Sequence, residues 1–254
     1  MKVQKSIVEQ RRNLVLNILS KEPDITADAL ALRLHVSPIT IRRDLQYWEE
    51  KNRITRFYGG AKIAQTFLEA HSELSEIEIR KNAIAKRAAE FIEDGDTIFI
   101  NTSTTALLIL SHIKNKKINV ITNNANAVFI QKDFNINVIL TGGELHEPKE
   151  SMVGEFAINN LSRVSANKTF IGCSGISSKV GITTAVLAEV AINELMLKQC
   201  TGTRFVLADS TKIGHNHSFV SNTLSRVDIL ITDDLADKDE CKAIEEKNVR
   251  ILKV

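Results

Sequence analysis

From residue 97 onward, short apolar runs recur between segments of helical periodicity: TIFIN, INVIT, INVILTGG, KTFIGCSG, TRFVLAD, DILITDD and VRILKV. Strands apolar on both faces, alternating with helices, predict an α/β domain with a mostly parallel sheet, because crossover helices cover both sides of such a sheet. The domain is expected over 78–254. It is entered through the amphipathic helix of IRKNAIAKRAAEFIEDGD, with Ile84, Ala88, Phe91 and Ile92 inward and Gly95 at its end.

In sheets of this kind ligands lie beyond the carboxyl ends of the strands, where loops lead into helices. Four loops qualify. NTSTT (101–105) offers hydroxyls and backbone N–H groups at a helix start, which suits an anion. TNNAN (122–126) is the second. TGGE (141–144) has two glycines that let the backbone approach a bound group. ADSTKIG (208–214) adds Lys212, a mobile cation suited to phosphate. Singly, Ser, Thr and Gly after a strand usually cap a helix or make a turn. Together they favour an anionic, polyhydroxylated ligand.

The first 64 residues differ in charge from the rest, with 12 Lys and Arg against 7 Asp and Glu, a net of +5, while the other 190 hold 21 against 24, a net of −3. Such asymmetry marks a nucleic-acid-binding segment. RRNLVLNILSK places Leu14, Ile18 and Leu19 on one helical face. A second short helix starts at Thr26, with Ala27, Leu30 and Leu34 at helical spacing. After His35-Val36, a third begins at Ser37-Pro38, a cap followed by a residue with helical φ. In SPITIRRDLQYWEE, Ile41, Leu45 and Trp48 form an inward stripe, and Ile39, Thr40, Arg43, Gln46 and Tyr47 face out with Arg42 at the edge. Two short helices joined by a tight turn form a helix-turn-helix, whose second helix enters the major groove. RITRFYGGAKI then reads as a hairpin wing turning at Tyr58-Gly59-Gly60 and carrying Arg53 and Arg56 toward the DNA backbone or minor groove. A plainer alternative is a solvated bundle whose arginines pair with Asp44, Glu49 and Glu50, but it leaves Ile39 and Tyr47 outward without a purpose. Residues 65–77, acidic and free of Gly and Pro, read as a helical connector.

The stretch VSPITIRRDLQYWEEKNRITRFYGGA resembles the signature of the DeoR family of bacterial transcriptional regulators. In that family Ser37, Thr40 to Leu45 and Gly59-Gly60 would mark the recognition helix and wing. The resemblance implies operator binding by Thr40, Arg42, Arg43 and their neighbours Ser37, Ile39, Gln46 and Tyr47, with base and phosphate contacts left open. Residues 78–254 resemble the family's effector domain, similar in fold to ribose-5-phosphate isomerases and glucosamine-6-phosphate deaminases. Carried over, the sugar-phosphate pocket would use Thr104, Thr105, Thr122, Asn123, Gly142, Gly143 and Lys212, and Glu189 in EVAINELMLK, where Val190 replaces the usual alanine. One departure is evident. The family's first loop reads Asp-x-Gly-Thr-Thr, and here Asn101 and Ser103 replace the carboxylate and the glycine. Asn101 would meet a sugar hydroxyl as both donor and acceptor, and Ser103 would narrow the phosphate site.

The resemblance implies a regulator, expected to be a repressor of sugar metabolism, whose partners are double-stranded operator DNA, a phosphorylated sugar and further copies of itself as a dimer or tetramer. An unphosphorylated effector is the alternative. A sugar-phosphate isomerase or deaminase would need a general base. Asp209 beside Lys212, Glu189 in a helix and the pair His215 and His217 are poor candidates, so no catalysis is expected. The two histidines lack a third ligand nearby, and neither metal nor cofactor is expected. Cys173, Cys200 and Cys241 lie far apart without CxxC spacing and read as buried thiols in a reducing cytosol. The amino end lacks the apolar core of a signal peptide, and no apolar run approaches the roughly 20 residues that span a bilayer. A cytoplasmic protein is expected.

Overall fold

A computed structural model describes residues 2–22, 25–57, 60–147 and 149–254. The chain divides into two compact units, Met1–Glu76 and Ile77–Val254.

The first unit holds α1 (Lys2–Lys21), α2 (Ala27–Arg33) and α3 (Pro38–Glu50), then the antiparallel pair β1 (Ile54–Phe57) and β2 (Gly60–Ile63), and the start of α4 (Gln65–Ala89). Capping sets the two middle helices. Thr26 Oγ1 accepts the Ala29 N–H at 3.2 Å and Ser37 Oγ accepts the Thr40 N–H at 3.2 Å, with Pro38 in the first turn. His35, at φ 53°, makes the tight turn between α2 and α3. Val15, Leu19, Leu30, Ile41, Leu45, Ile54 and Ile63 form the core. The first helix is rotated from the expected register, since Val15 is fully buried and Leu14 is 51% exposed. The reason is electrostatic as well as apolar: Arg11 and Arg12 turn to the buried Asp44 of α3, at 2.6 and 3.1 Å, which fixes the face that α1 presents. The expected hairpin turn rests partly on Tyr58 and Gly59, which lie outside the described residues. Gly60 does not have the positive φ assigned to it; a Cβ there would stand 3.2 Å from the Ile25 carbonyl oxygen and would displace the Phe57 ring.

The second unit is built on β3 (Thr97–Ile100), α5 (Thr104–His112), β4 (Ile118–Thr122), β5 (Ile136–Leu140), the hairpin β6 (Glu144–His146) and β7 (Ser151–Val153), α6 (Gly154–Leu161) and β8 (Ala166–Gly172). It continues through β9 (Gly175–Ser177), β10 (Gly181–Thr184), α7 (Val190–Lys198), β11 (Cys200–Leu207), β12 (Phe219–Asn222), β13 (Ile229–Thr232), α8 (Lys238–Glu245) and β14 (Arg250–Lys253). Seven strands form one parallel sheet in the order β14-β13-β11-β8-β3-β4-β5. Alternate residues feed two cores. Ile98, Ile100, Phe170 and Phe205 pack with Ile84 and Ala88 of α4 and Leu110 of α5. Phe99, Ile171 and Val206 pack with Leu161 of α6, Ile192 of α7 and Ile244 of α8. The Phe170 and Phe205 rings stack at 4.6 Å. The helix expected after INVIT is only a 3-10 turn, Ala125–Val128, and the run after β8 forms β9 and β10, which join β12 in a small antiparallel sheet, before α7 begins.

Candidate functional site

α3 presents a polar, cationic face. Ser37, Arg42, Arg43 and Gln46 are exposed, and Ile39 is 62% exposed. Arg42 and Arg43 have no hydrogen-bonding or ionic partner among the described residues. Thr40 is half-buried and shares a hydroxyl contact of 2.9 Å with Ser37, and Gln46 donates to Glu50 at 3.0 Å. Tyr47 departs from the outward face expected of it. The Arg12 guanidinium lies 3.7 Å from its ring centroid, and Trp48, packed edge-on against Tyr47, donates to the Arg12 carbonyl at 2.8 Å. Tyr47 therefore belongs to the clamp between α1 and α3. Arg53 stands exposed just before β1, and Arg56, on β1, reaches Glu49 at 3.7 Å. Arg42 and Arg56 come together with Asp28 around a shallow cavity of about 300 Å³.

In the second unit the chain runs outward from β3 to β5, then returns to place β8 on the other side of β3. This reversal opens a crevice beyond the carboxyl ends of β3 and β8, the place where doubly wound sheets hold ligands. A cavity of about 470 Å³ lies there, lined by the loops after β3, β8 and β11, a volume suited to a small ligand.

Asn101, Ser103, Thr104, Thr105, Glu189 and Lys212 line this cavity. Ser103 caps α5 by accepting the Ala106 N–H at 3.3 Å, leaving the N–H groups of Thr104 and Thr105 at the helix start without intrahelical partners. Asn101 lines the wall, but its amide is occupied. The nitrogen donates to the Gly172 carbonyl and to Asn193 Oδ1, both at 2.9 Å, and the oxygen accepts the N–H groups of Ser103 and Gly172 at 3.2 and 3.0 Å. Two donors and two acceptor sites are the whole capacity of this side chain, so the sugar-hydroxyl contact expected of it has no group left to make it. Glu189 is buried and accepts from Thr102 at 2.8 Å, Thr184 at 2.9 Å and Lys149 at 3.3 Å. The buried Asp209 accepts from the N–H and hydroxyl of Thr211. Burial pushes the Cys173 thiol in the same wall up to about 12, against the opposing effect of Lys212.

Thr122, Asn123, Gly142 and Gly143 are not among the cavity residues. The first two are buried at the end of β4, one strand farther from the reversal, where Thr122 accepts the Asn124 N–H and Asn123 donates to the Met152 carbonyl. Gly143, at φ 113°, is glycine because a Cβ would lie 2.4 Å from the Val153 carbonyl oxygen. The cavity instead takes Thr102, Asn124, Asn126, Lys149, Ser174, Thr184, Asn193 and His217, and Lys81 from α4. Asn124 and Asn126 lie in the TNNAN loop already singled out; Lys81 reads in sequence as an ordinary solvated lysine. Among the described residues no group of three or more His, Cys, Asp or Glu is placed to hold a metal ion, and no helix is long and apolar enough to cross a membrane. The three cysteines are free.

Two family profiles match the chain, the DeoR-like helix-turn-helix domain over residues 11–67 and the DeoR C terminal sensor domain over residues 78–234. An uncharacterized HTH-type transcriptional regulator of Bacillus subtilis (strain 168), YulB, is 32% identical over 98% of this chain and 97% of its own. The HTH-type transcriptional repressor GlcR of the same organism is 32% identical over 96% and 95%, and the glycerol-3-phosphate regulon repressor of Escherichia coli (strain K12) 30% over 88% and 90%. Among solved structures, ribose 5-phosphate isomerase A from Methanocaldococcus jannaschii covers 52% of each chain at 16% identity, with a TM-score of 0.38, a likeness too slight to build on.

Proposed function

The chain belongs to the DeoR family of bacterial transcriptional regulators, and from that premise we propose that it represses a sugar-metabolism operon and leaves its operator when a phosphorylated sugar fills the cavity of the second unit. The observation that carries this reading is the cavity itself: it joins hydroxyls and free helix N–H groups to three lysines, Lys81, Lys149 and Lys212. Lys149 is paired with Glu189, whereas Lys212 and Lys81 have no carboxylate partner among the described residues. Anions gain from a helix start and from an ammonium together. The names of relatives agree, since one is a glycerol-3-phosphate regulon repressor and another a lactose phosphotransferase system repressor.

On the DNA side, Arg42 and Arg43 are the candidates for base edges or phosphates, with Ser37, Ile39, Thr40 and Gln46 beside them and Arg53 and Arg56 at the hairpin. An arginine without a protein partner is free to form a bidentate contact with guanine, and Ile39 offers an apolar surface to a thymine methyl. One such module covers little DNA, so the protein acts as a dimer or tetramer on a palindromic or repeated site. No catalysis is proposed. Glu189 and Asp209, the carboxylates that would serve as a general base, already accept hydrogen bonds from neighbouring hydroxyl, N–H and ammonium groups.

The test is a thermal-shift screen of the full chain against triose, pentose and hexose phosphates beside their unphosphorylated sugars, followed by operator release measured by gel shift. A ligand selective for the native fold raises Tm with the logarithm of its concentration. We expect a phosphorylated sugar to raise Tm and release DNA. A response to unphosphorylated sugars alone would overturn the effector assignment, and isomerised or deaminated product in the same mixtures would overturn the non-enzymatic one.

A further inference from the structure

The seven-stranded sheet has two edges, β14 and β5, and they are finished differently. An edge strand offers unpaired N–H and C=O groups to any strand that comes beside it, and proteins that stay single blunt such edges with charge. β14 carries exposed Arg250 and Lys253. β5 reads INVIL and carries no charge. The Thr141 N–H, one residue past β5, bonds inward to the Thr122 carbonyl at 3.0 Å, so by the alternation of a parallel ladder the N–H groups of Val138 and Leu140 point to the open side. The surface beside this edge is apolar. Val128 and Phe129 stand at the end of the 3-10 turn that follows β4, Phe134 lies two residues before β5, and Ile139 is on the strand; all four are exposed, Phe129 to 84% and Phe134 to 94%. The charges between Val128 and Leu140 are Lys132 and Asp133, and both turn to the chain itself: Lys132 reaches the Ala127 carbonyl at 3.5 Å, and Asp133 accepts the N–H groups of Asn115 and Asn135 at 3.0 Å each.

We propose that this edge is where two copies of the chain join, β5 against β5, antiparallel across a two-fold axis at Val138. The proposal rests on the reading above that the protein acts as a dimer or tetramer, and adds the surface that makes the pair. The strand is its own complement. In that register Ile136 faces Leu140 and Val138 faces itself, and these three side chains lie on the face that packs on the core of α4 and α5, so each protomer extends the apolar layer of its partner. A two-fold contact requires such a self-match. The same axis brings Phe129 of one protomer toward Phe134 of its partner, because Phe129 lies at the carboxyl end of the parallel β4 and β5 and Phe134 at the amino end. The area is sufficient. With about 200 Å² for a Phe side chain, the two exposed rings present roughly 350 Å² per protomer and about 700 Å² in a pair. Val128, Ile139 and the strand edge bring the total past the about 1,000 Å² of a specific interface. Apolar surface of this extent is uncommon on a chain that remains single.

The experiment is sedimentation of the full chain without sugar or DNA, so its result does not depend on the effector. The wild type is expected as a dimer or tetramer. Phe129→Glu and Phe134→Lys change positions that are exposed in one protomer, so each keeps the wild-type circular dichroism spectrum and each halves the sedimenting mass. An equimolar mixture of the two variants re-associates at a concentration where each alone stays apart, because one contact of the mixed pair then joins the new carboxylate to the new ammonium while the other keeps both phenylalanines. Amide hydrogen exchange of the wild type supplies a measurement free of substitutions: peptides covering residues 136–140 exchange slowly in the assembled protein and faster after dilution has separated it. A wild type that sediments as a single protomer gives the face to a partner of another kind and overturns both the proposal and the assembly reading beneath it. An assembled wild type whose variants keep its mass, or whose 136–140 exchange ignores dilution, leaves the assembly reading and removes this surface from it. Variants that separate but do not re-associate when mixed overturn the antiparallel register.

Discussion

Asn101 makes four hydrogen bonds with its side chain, and they explain how this chain uses the amide. A carboxylate accepts but does not donate, so Asn101→Asp would strip the Gly172 carbonyl and Asn193 of their donor. Rotation of the Asn193 amide can restore one bond; the Gly172 carbonyl cannot be rescued that way. The expected cost is about 1–3 kcal/mol of stability in urea unfolding, with weaker binding of any anion because a buried negative charge now faces the cavity. Unchanged stability would mean that the loop finds another donor. The arginines of the DNA face make a second pair of expectations. Arg43 is exposed and without a partner among the described residues, so Arg43→Ala should weaken operator binding roughly tenfold or more and relax base preference, as loss of a bidentate base contact does. Arg56 is part of a surface pair with Glu49, and Arg56→Ala should instead weaken binding to all sequences and flatten the salt dependence by about one unit. Gel shifts across salt concentrations separate the two, and equal loss on operator and scrambled DNA for both would remove Arg43 from base contact.

Between elements, charge decides placements that the apolar pattern leaves open. Asp44 is buried and held by two arginines of α1, so Asp44→Ala leaves Arg11 and Arg12 facing each other with no acceptor. Because both arginines keep some solvent contact, the loss should fall below the roughly 3–5 kcal/mol of a fully buried pair. Trp48, the one tryptophan of the chain, donates into the same clamp and reports this melting by fluorescence; an unshifted transition would show that the clamp is incidental. Asp96 does the comparable task in the second unit, accepting from the Glu93 N–H and Lys168 at 2.7 Å each and from Asn167. Burial alone would push the Asp96 carboxyl up, but these bonds outweigh it and hold it below its ordinary value. A depressed carboxyl contributes stability above the unfolded value near 3.9, and that contribution disappears as pH falls through the folded one. The Tm gap between wild type and Asp96→Asn, followed by circular dichroism, should therefore be wide at pH 7 and close on acidification toward pH 3. All seven strands of the main sheet were legible because each carries two or three consecutive residues from Ile, Val, Leu and Phe. The hairpin of ELH and SMV and the small sheet of GIS, GITT and FVSN were not, since three or four residues of mixed polarity carry no period. Of the cavity, the loops after β3 and β11 were visible as hydroxyls and a lysine following strands. The order of strands was not, and it is the reversal between β3 and β8 that draws the TNNAN loop in by its later residues, Asn124 and Asn126, leaves out Gly142 and Gly143, and brings in the loop after β8.

For the molecule as a whole, repression that yields to a metabolite demands that two ligands act on one equilibrium. A sugar phosphate bound equally well with and without DNA would release nothing, and full conversion from a bound to a free population needs a preference of roughly ten-thousand-fold. Coupling energies of about 1–3 kcal/mol are usual, so release should be partial in excess operator and nearly complete only at limiting DNA. Linkage makes the relation symmetric: whatever factor the effector takes from operator affinity, the operator must take from effector affinity. The measurement is a pair of titrations of the active sugar phosphate by calorimetry, one on the free protein and one with saturating operator oligonucleotide, compared with gel-shift affinities with and without the sugar. We expect equal factors. Unequal factors would mean that the ligand also changes the number of protomers on the DNA, and repeating the titrations over a range of protein concentrations decides this, because a change of assembly scales with concentration whereas a change of conformation within a fixed dimer or tetramer does not.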